Sequence, residues 1–570
     1  MSFIDVLLIA VTTALCFLAC SKQLKKAAQR NTLFVKTENG IYNIITRYYW
    51  FFVAGVALVA VLVRTWQFGT IPYGFNQDEA MAALEGFSLS EHGTDHYGMT
   101  MPVYFTAWIS SQMNVLLSYI MIPFFKLFGP SIFAARLPLL LFSFLSLYVV
   151  FRFSYKLFDK YAALAILFIV AINPWQIMMS RWALEANLFP HLLLYGCYLL
   201  YLGLEKKRYT YLSMLVFGAA MYSYGISYYL VPLLLLVLCI YLLCTKNIKW
   251  HQALICVGLY GIIAWPIFAM MAVNYFKWET IELPFLTIPF FEYGQRMGDI
   301  LFFSEDIYSQ FIQNFNYTMD KVFLQSADLP WNSIPEIGPL YFIAIPLFCL
   351  GLGLFIVEYR KKNAATRHGI FILLMMFVTA FISGLITNYV NLNRINAIFF
   401  PMLFMIGYAV YYIGKRFKTA IIPVLLMFTL LFGNFSYAYF VGDHSKELGY
   451  QFYYGFSDAV TYVKDMEYEK IYITSKTQGD YASFVSEIMA EFLLEIDTEY
   501  ITGESMPEGE TLKYNRKYNY QIVAGLIDPE NPNIIYIAHV DELEYFDASY
   551  FNFHTFENYC AVVHKDHPSQ

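Results

Sequence analysis

Two adjacent carboxylates, Asp78 and Glu79, stand in the stretch GFNQDEAMAALEG, shortly after an apolar run that ends near Trp66. Acids at the edge of a membrane segment are costly to keep there, so the pair is a candidate for general acid–base chemistry. The residues after the pair favour a helix, and a carboxylate at a helix N-terminus meets the positive end of the helix dipole. Capping of this helix by Asp78 explains the sequence equally well.

A second group of ionisable residues lies in nearby polar loops. His92, Asp95 and His96 follow the acidic pair and are candidate substrate or metal ligands, or solvated loop residues. Arg181 and Glu185, in SRWALEAN, are four residues apart, so a helix would place them on one face. They are interpreted either as a salt bridge at the membrane edge or as a second acid with a basic neighbour near the site.

A third candidate is Arg394, in TNYVNLNRINAIFFP. Its guanidinium is suited to binding phosphate through two hydrogen bonds, or it extends to the membrane surface as many arginines do. Four asparagines surround it in sequence: Asn388, Asn391, Asn393 and Asn396. A further acidic set, interpreted as mostly solvated surface, lies in a long loop and comprises Asp299, Glu305 and Asp306.

The composition indicates a membrane protein that crosses the bilayer many times. Of 570 residues, 58% are hydrophobic, 19% aromatic and only 14% charged, whereas average soluble chains carry about 25% charged residues. The net charge is −6, and no basic patch indicates nucleic-acid binding. The apolar run Phe3–Cys20 is followed, not preceded, by its basic residues, which favours a retained span over a signal peptide.

About twelve apolar runs are long enough to be transmembrane helices. The shorter run Val115–Phe128 contains Pro123 and Lys126 and is interpreted as a re-entrant or interfacial helix. With these spans, the short Lys- and Arg-rich loops all fall on one side, which the positive-inside rule assigns to the cytoplasm. The acidic pair then faces outward, in a multi-pass protein of the plasma membrane.

The predicted organisation is a mostly α membrane domain over residues 1–439 and a small extracytoplasmic α/β cap domain over residues 440–570. Within the membrane domain, residues 67–131 form the first outward loop with its re-entrant helix, and residues 274–338 form a long outward loop. The cap is predicted from short β-branched runs such as EKIYIT and NIIYIAHV, which alternate with amphipathic segments.

Several stretches resemble the GT-C superfamily of integral membrane glycosyltransferases. The acidic pair, "RLP", "NPW" and "SRWALEAN" occur in the same order over roughly residues 74–236. The pattern is most similar to the bacterial group related to protein O-mannosyltransferases and aminoarabinose transferases, glycosyltransferase families 39 and 83. The resemblance does not reach the C-terminal tail.

The resemblance implies a role for each candidate. Asp78 would be the catalytic acid of the first outward loop, with Glu79 beside it and Glu185 as the acid of the second loop. Arg394, with Arg181, would bind the donor phosphate. Further implied substrate-binding residues are His92, Asp95, His96, Tyr224 and Asn396.

Two departures from the family pattern concern residues that would bind the donor. Relatives often carry a basic KPPLY-like stretch where this chain has SQMNVLL, and often an arginine where this chain has Tyr228 and Tyr229. Both changes point to a different donor, a displaced phosphate site or an inactive member of the superfamily.

The function that follows from the resemblance is transfer of a sugar from a polyprenyl-phosphate donor to an acceptor hydroxyl, with inversion and with Asp78 as general base. The acceptor is a glycan, a glycolipid or a protein. The acids Asp78, Glu79 and Glu185 are possible oxygen ligands for Mg²⁺ or Mn²⁺, although no compact metal motif exists. A transporter or flippase of lipid-linked sugar, and an inactive GT-C-like binding protein, are the alternatives.

Overall fold

The computed structural model describes residues 3–107, 111–292, 306–361, 363–388, 390–477, 480–481, 483–496 and 517–569. Asp299 and Glu305 lie outside these ranges. Helices dominate the described chain, and their bounds are α1 (Phe3–Cys20), α2 (Lys22–Ala28), α3 (Thr32–Arg47), α4 (Tyr49–Thr65), α5 (Gln77–His92), α6 (Leu116–Phe128), α7 (Ile132–Leu157), α8 (Lys160–Ala171), α9 (Pro174–Met179), α10 (Glu185–Gly203), α11 (Lys207–Ala220), α12 (Ser227–Cys244), α13 (Trp250–Phe276), α14 (Ile307–Thr318), α15 (Ala344–Lys361), α16 (Ala364–Leu385), α17 (Leu392–Ile395), α18 (Phe399–Arg416), α19 (Ile421–Phe440), α20 (Asp443–Gln451), α21 (Phe456–Val463) and α22 (Ser483–Leu493).

The strands are short in the membrane domain and longer towards the C-terminus. They are β1 (Phe105–Ala107), β2 (Ser111–Met113), β3 (Ile281–Leu283), β4 (Leu286–Ile288), β5 (Lys470–Ile473), β6 (Lys476–Thr477), β7 (Asp480–Tyr481), β8 (Tyr518–Asn519), β9 (Ile534–His539), β10 (Phe551–Phe556) and β11 (Tyr559–His564). The predicted architecture, a mostly α polytopic membrane protein with a small C-terminal α/β region, is confirmed.

The described part of the chain contains six helices that are long and apolar enough to cross a membrane, or up to eight if two bent pairs each count as one span. The pairs are α1 with α2, bent by 83°, and α3 with α4, bent by 69°. Other predicted spans correspond to shorter helices, such as α8 with twelve residues. The count of about twelve spans therefore stays a prediction.

The centre of the membrane domain is α18, whose side chains are almost all buried. Glycines allow its neighbours to approach closely, as is common where membrane helices pack. A Cβ on Gly351 of α15 would lie 2.0 Å from the carbonyl oxygen of Met405, and a Cβ on Gly407 would lie 2.5 Å from the Cα of Ile166 in α8. Larger residues at either position would force the helices apart.

Helix α6 differs from the spanning helices in length. Its thirteen residues extend about 20 Å, whereas the hydrocarbon core of a bilayer is roughly 30 Å thick. The helix contains Pro123 and packs against both α5 and α7. These features agree with a helix that does not cross the membrane.

The C-terminal region is built on a five-stranded mixed sheet in the order β10-β11-β9-β5-β8. The pairs β10–β11 and β11–β9 are antiparallel, whereas β5 is parallel to both β9 and β8. Strand β11 is buried along its whole length because α21 packs over it. The near-continuous apolar run of β9, IIYIAH, is likewise almost completely buried, as expected for a central strand.

This region, the cap, is attached directly to the start of α5. The backbone N–H of Phe75 donates to the carbonyl oxygen of Phe452 at 2.7 Å, and the Tyr453 hydroxyl donates to Gln77 Oε1 at 2.9 Å. Gly74 has a φ of +81°, and a Cβ there would lie 2.1 Å from the Phe452 carbonyl oxygen. Glycine is therefore required where the cap meets the helix that carries the acidic pair.

Candidate active site

Helix α5 begins at the acidic pair, and its N-cap is Asn76. The Asn76 side chain accepts a hydrogen bond from the backbone N–H of Asp78 at 2.9 Å, while Glu79 accepts one from the backbone N–H of Asn76 at 3.2 Å. The two bonds form a capping box. The alternative that Asp78 caps the helix is thus wrong: Asn76 does so, and Asp78 lies half-buried in the first turn, where the helix dipole favours a carboxylate.

The Glu79 carboxylate is fully buried in a bidentate ion pair with Arg136 of α7. Arg136 donates from Nε to Oε1 at 3.0 Å and from Nη2 to Oε2 at 2.8 Å. Glu79 also accepts from the backbone N–H of Ala183 at 2.5 Å. With the bond from Asn76, four donors occupy the roughly four lone-pair sites of a carboxylate. Its contacts are those of a structural anchor between α5, α7 and the segment before α10, and the catalytic role of Glu79 stays a prediction.

Arg136 extends this anchor to the chain before α5. Its guanidinium donates to the carbonyl oxygens of Gly69, Pro72 and Gly74 at 2.8–3.0 Å. This arginine belongs to the "RLP" motif, from which no role for it was predicted. An arginine at the start of an apolar helix favours a nearby acid, and that preference could have pointed to Glu79.

Arg181 lies against the end of α4. It is fully buried, and it donates to the carbonyl oxygens of Arg64 and Trp66, each at 2.7 Å, and of Ile71 at 3.0 Å. These oxygens lie at and beyond the end of α4, where helix carbonyls lack partners within the helix. The terminal nitrogens of Arg181 thus already donate to the backbone, and its binding to donor phosphate stays a prediction.

The expected helical pairing of Arg181 with Glu185 does not occur, because α10 begins only at Glu185. The Glu185 side chain is buried and accepts from the backbone N–H of Asn114 at 2.6 Å. The Asn114 amide in turn donates to the Tyr228 hydroxyl at 2.8 Å. Tyr228, one of the two departures from the family pattern, thus lies at the end of a hydrogen-bonded chain that starts at Glu185.

Arg394 lies half-buried in the short helix α17, whose N-cap is Asn391. The Asn391 side chain accepts from the backbone N–H of Arg394 at 2.9 Å. Two residues further on, the amide of Asn396 donates to the carbonyl oxygen of Ala186 at 2.8 Å. Since Ala186 follows Glu185, the structure brings the segment of Arg394 and the start of α10 together.

The remaining candidates lie elsewhere. His92 is exposed at the end of α5, fourteen residues and therefore about 20 Å along the helix from Asp78. Tyr224 is half-buried in the turn between α11 and α12. Asp306 is the N-cap of α14 and accepts from the backbone N–H of Ser309, which fits its interpretation as a surface residue.

Asp95 and His96 belong to a buried cluster between α5 and the cap helix α22. His96 Nδ1 lies 2.7 Å from Glu85 Oε1, and both side chains are almost completely buried. Glu491 of α22 is also buried. His96 thus lies close to the contact between α5 and the cap, and the binding of substrate by Asp95 and His96 stays a prediction. Glu85 and Glu491 were not singled out from the sequence, since their partners come from distant segments.

Burial shifts the protonation of this cluster. It raises the pKa of Asp95 to about 7, with a further contribution from Glu85, and, together with Glu487, it raises the pKa of Glu491 to about 8. Burial opposes the charged form of His96, but the Glu85 carboxylate outweighs it and raises the pKa of that imidazole to about 9.

Among the described residues, no three His, Cys, Asp or Glu side chains are arranged to hold a metal ion. Glu79, one of the proposed oxygen ligands, already accepts four hydrogen bonds. The set Asp78, Glu79 and Glu185 therefore does not fit a Mg²⁺ or Mn²⁺ site in this arrangement.

Comparisons with known proteins agree with this architecture. Residues 114–272 match the family model described as dolichyl-phosphate-mannose-protein mannosyltransferase. No curated protein is significantly similar in sequence to this chain.

Among solved structures, ArnT from Cupriavidus metallidurans bound to undecaprenyl phosphate is 12% identical, with a TM-score of 0.51 over 91% of this chain and 98% of ArnT. Its apo form matches over the same shares, with 12% identity and a TM-score of 0.50. An Archaeoglobus fulgidus oligosaccharyltransferase tethered to an acceptor peptide is 11% identical, with a TM-score of 0.48 over 88% of this chain and 70% of its own. The ArnT matches extend over almost the whole of both chains, beyond the region in which the sequence motifs occur. The ArnT matches, at 12% identity, show the fold: this chain has the GT-C fold, in agreement with the resemblance seen in the sequence.

Proposed function

We propose that this protein is a glycosyltransferase that moves a sugar from a polyprenyl-phosphate donor to an acceptor hydroxyl at the outer face of the plasma membrane. The single observation that carries the proposal is the position of the second outward loop. At Ala183 the loop binds Glu79, next to Asp78, and at Ala186 it binds Asn396, close to Arg394. The segments that carry Asp78 and Arg394, which are distant in sequence, therefore both contact residues 183–186, and this supports a shared site.

In the proposed reaction, Asp78 accepts the proton of an acceptor hydroxyl as that oxygen attacks the anomeric carbon of the sugar. The bond from that carbon to the phosphate oxygen breaks, and the polyprenyl phosphate leaves with the bonding electrons. Arg394 stabilises the negative charge that develops on the leaving phosphate. Direct displacement inverts the anomeric centre.

The surroundings of Asp78 suit a general base better than those of Glu79. Glu79 is fully buried with four hydrogen bonds, whereas Asp78 is half-buried. A general base must approach the hydroxyl that it deprotonates to hydrogen-bond distance, and a partly exposed carboxylate can do so. Glu185 is given a supporting role, since its carboxylate is buried and bound to Asn114.

The matches to ArnT, a protein solved with undecaprenyl phosphate bound, support a polyprenyl-phosphate donor by analogy of fold. The acceptor in the proposal is a glycan, a glycolipid or a protein. The predicted orientation, with the acidic pair and the cap outside the cytoplasm, is part of the same proposal.

The test is a turnover assay with purified protein in lipid nanodiscs. A short-chain polyprenyl-phosphate sugar is supplied with detergent-solubilised envelope glycans and glycolipids, and release of polyprenyl phosphate is measured by mass spectrometry. Asp78→Asn should lower turnover about 10²–10⁴-fold with an unchanged melting temperature. Asp566→Asn, a change at an exposed acid of the cap, is the matched control. Normal turnover by Asp78→Asn would remove the base assignment.

A further inference from the structure

Two helices near the N-terminus leave their neighbours at steep angles. Helix α2 is bent by 83° from α1, and α3 is bent by 69° from α4. Helices α1 and α4 consist almost entirely of apolar residues and are predicted to cross the membrane, whereas α2 has three lysines among its seven residues. When α1 and α4 cross the bilayer, α2 and α3 run close to the plane of its surface. Residues 22–47 are therefore named the surface segment.

The surface segment is amphipathic. In α2, KQLKKAA, the three lysines share one face and Leu24 lies on the opposite face. In α3, Leu33 is 74% exposed and Ile44 is also exposed. The two residues are three helical turns apart, which places them on one side of the helix. Exposed apolar residues beside lysines are typical of helices that lie in the membrane surface.

The surface segment is attached to the turn between α18 and α19. The buried carboxylate of Glu38 accepts from the backbone N–H of Lys418 at 2.8 Å and from that of Thr419 at 2.7 Å. The Phe34 and Phe417 rings lie 6.3 Å apart beside these bonds. These contacts hold the segment against the membrane domain at residues 415–420, which are themselves basic.

This attachment concentrates positive charge. The surface segment and residues 415–420 contain a single acid, Glu38, and nine basic residues. The nine are Lys22, Lys25, Lys26, Arg30, Lys36, Arg47, Lys415, Arg416 and Lys418. Among the described residues, Glu38 is the only carboxylate in ion-pair contact with any of them, and its contact is with Lys418 at 3.7 Å. Burial and the nearby charges of Arg416 and Lys418 lower the pKa of Lys25, which indicates that α2 lies beside the turn.

The charge and the apolar residues together indicate the kind of partner. A cluster of like charges repels itself unless anions lie nearby. Groups of about four to eight Lys and Arg next to a membrane span, or on an amphipathic helix, attract the headgroups of anionic lipids. We propose that the surface segment and residues 415–420 together bind the headgroups of anionic phospholipids in the leaflet that they face. This binding does not depend on the proposed transferase function.

The first experiment compares melting temperatures of the full chain in nanodiscs. The discs contain phosphatidylcholine alone or with increasing fractions of phosphatidylglycerol. The anionic lipid should raise the melting temperature by a few degrees, since a ligand that binds only the folded state stabilises it. Raising the salt from about 0.1 M to about 1 M should remove most of this rise, because the Debye length falls from about 10 Å to about 3 Å.

The second experiment measures phosphatidylglycerol binding to the detergent-solubilised protein by native mass spectrometry. The combined variant Lys22→Gln, Lys25→Gln and Lys26→Gln should raise the apparent Kd about tenfold or more, because each of these charges attracts the anionic headgroup. Binding of phosphatidylcholine should not change, since that headgroup has no net charge.

A second triple variant is the matched control. Lys206→Gln, Lys207→Gln and Arg208→Gln remove the same number of charges from an exposed loop that is predicted to lie on the same side of the membrane. This variant should leave the apparent Kd for phosphatidylglycerol almost unchanged.

Two results would overturn the proposal. One is a wild-type melting temperature that does not respond to phosphatidylglycerol. The other is an equal loss of affinity in the two triple variants, which would show general attraction to the basic side of the protein instead of binding at the surface segment. Neither experiment uses a sugar donor, so their failure would leave the proposed transferase function untouched.

Discussion

The carboxylate of Glu79 and the guanidinium of Arg136 form a bidentate ion pair in which neither side chain is exposed. The pair joins the start of α5 to α7, and the remaining donors of Arg136 hold the chain that leads into α5. The pair fixes the backbone at Glu79, and it therefore also positions Asp78, the preceding residue.

The pair should therefore control stability. Arg136→Met leaves a buried carboxylate without its counter-charge, so the free energy of unfolding should fall by about 3–5 kcal/mol. The measurement is a melting curve in detergent for Arg136→Met, for Glu79→Gln and for the double variant, which should recover part of the loss. Lys156→Met, which breaks an exposed pair with Glu205, should cost no more than about 1 kcal/mol. An equally small effect for Arg136→Met would contradict the anchoring role.

Arg181 should behave as a structural residue as well. Arg181→Met leaves the carbonyl oxygens of Arg64, Trp66 and Ile71 without this donor, at a cost of about 1–3 kcal/mol for each group that stays buried. The melting temperature should fall, and the folded fraction should keep a normal KM for the donor. A large rise in that KM with no loss of stability would support the phosphate-binding prediction.

Substitution of Arg394, in contrast, is expected to weaken donor binding and to leave stability largely unchanged. Arg394→Met removes charge-assisted hydrogen bonds to the donor phosphate, each worth about 1.5–3 kcal/mol, and should raise the KM for the donor about 10- to 100-fold. Arg394→Lys should recover part of this, since a lysine keeps the charge but not the planar fork. Donor titrations at fixed acceptor measure the effect. A change confined to the KM for the acceptor would show that the arginine serves another group.

The contact between α5 and the cap should weaken as the pH rises. Asp95, Glu491 and His96 all have raised pKa values in the folded chain, at about 7, 8 and 9. The folded state therefore binds more protons than the unfolded state in this pH range. The stability that these groups contribute is fully present below their ordinary pKa values and is lost as the pH rises through their raised pKa values.

The groups that face one another in this cluster are Glu85, Asp95, His96 and Tyr97 on the membrane domain and Glu487 and Glu491 on α22. The melting temperature should fall by a few degrees between about pH 5 and about pH 9. Glu491→Gln should flatten the upper part of this dependence, and Asp566→Asn should leave it unaltered. A melting temperature that rises with pH in this range would contradict the predicted loss of stability.

The sequence alone was sufficient to predict the class of protein and its mostly helical fold. Apolar runs of membrane-spanning length and alternating β-branched segments determine a polytopic helical domain with a small α/β region, because both patterns reflect local hydrophobic burial. The motifs around Asp78, Glu185 and Arg394 marked three segments, and two of them, the loops of Glu185 and Arg394, meet directly through Asn396 and Ala186.

The roles of the individual charges were decided only by the tertiary structure. Asp78 and Glu79 are adjacent in sequence, yet one lies half-buried in the first turn of α5 and the other is buried against Arg136, 57 residues away. Arg181 is next to a candidate site in sequence but binds carbonyl oxygens more than a hundred residues earlier. The type of a side chain limits which partners it can bind. Burial and long-range contacts determine which of these partners it does bind, and those contacts cannot be read from a single sequence.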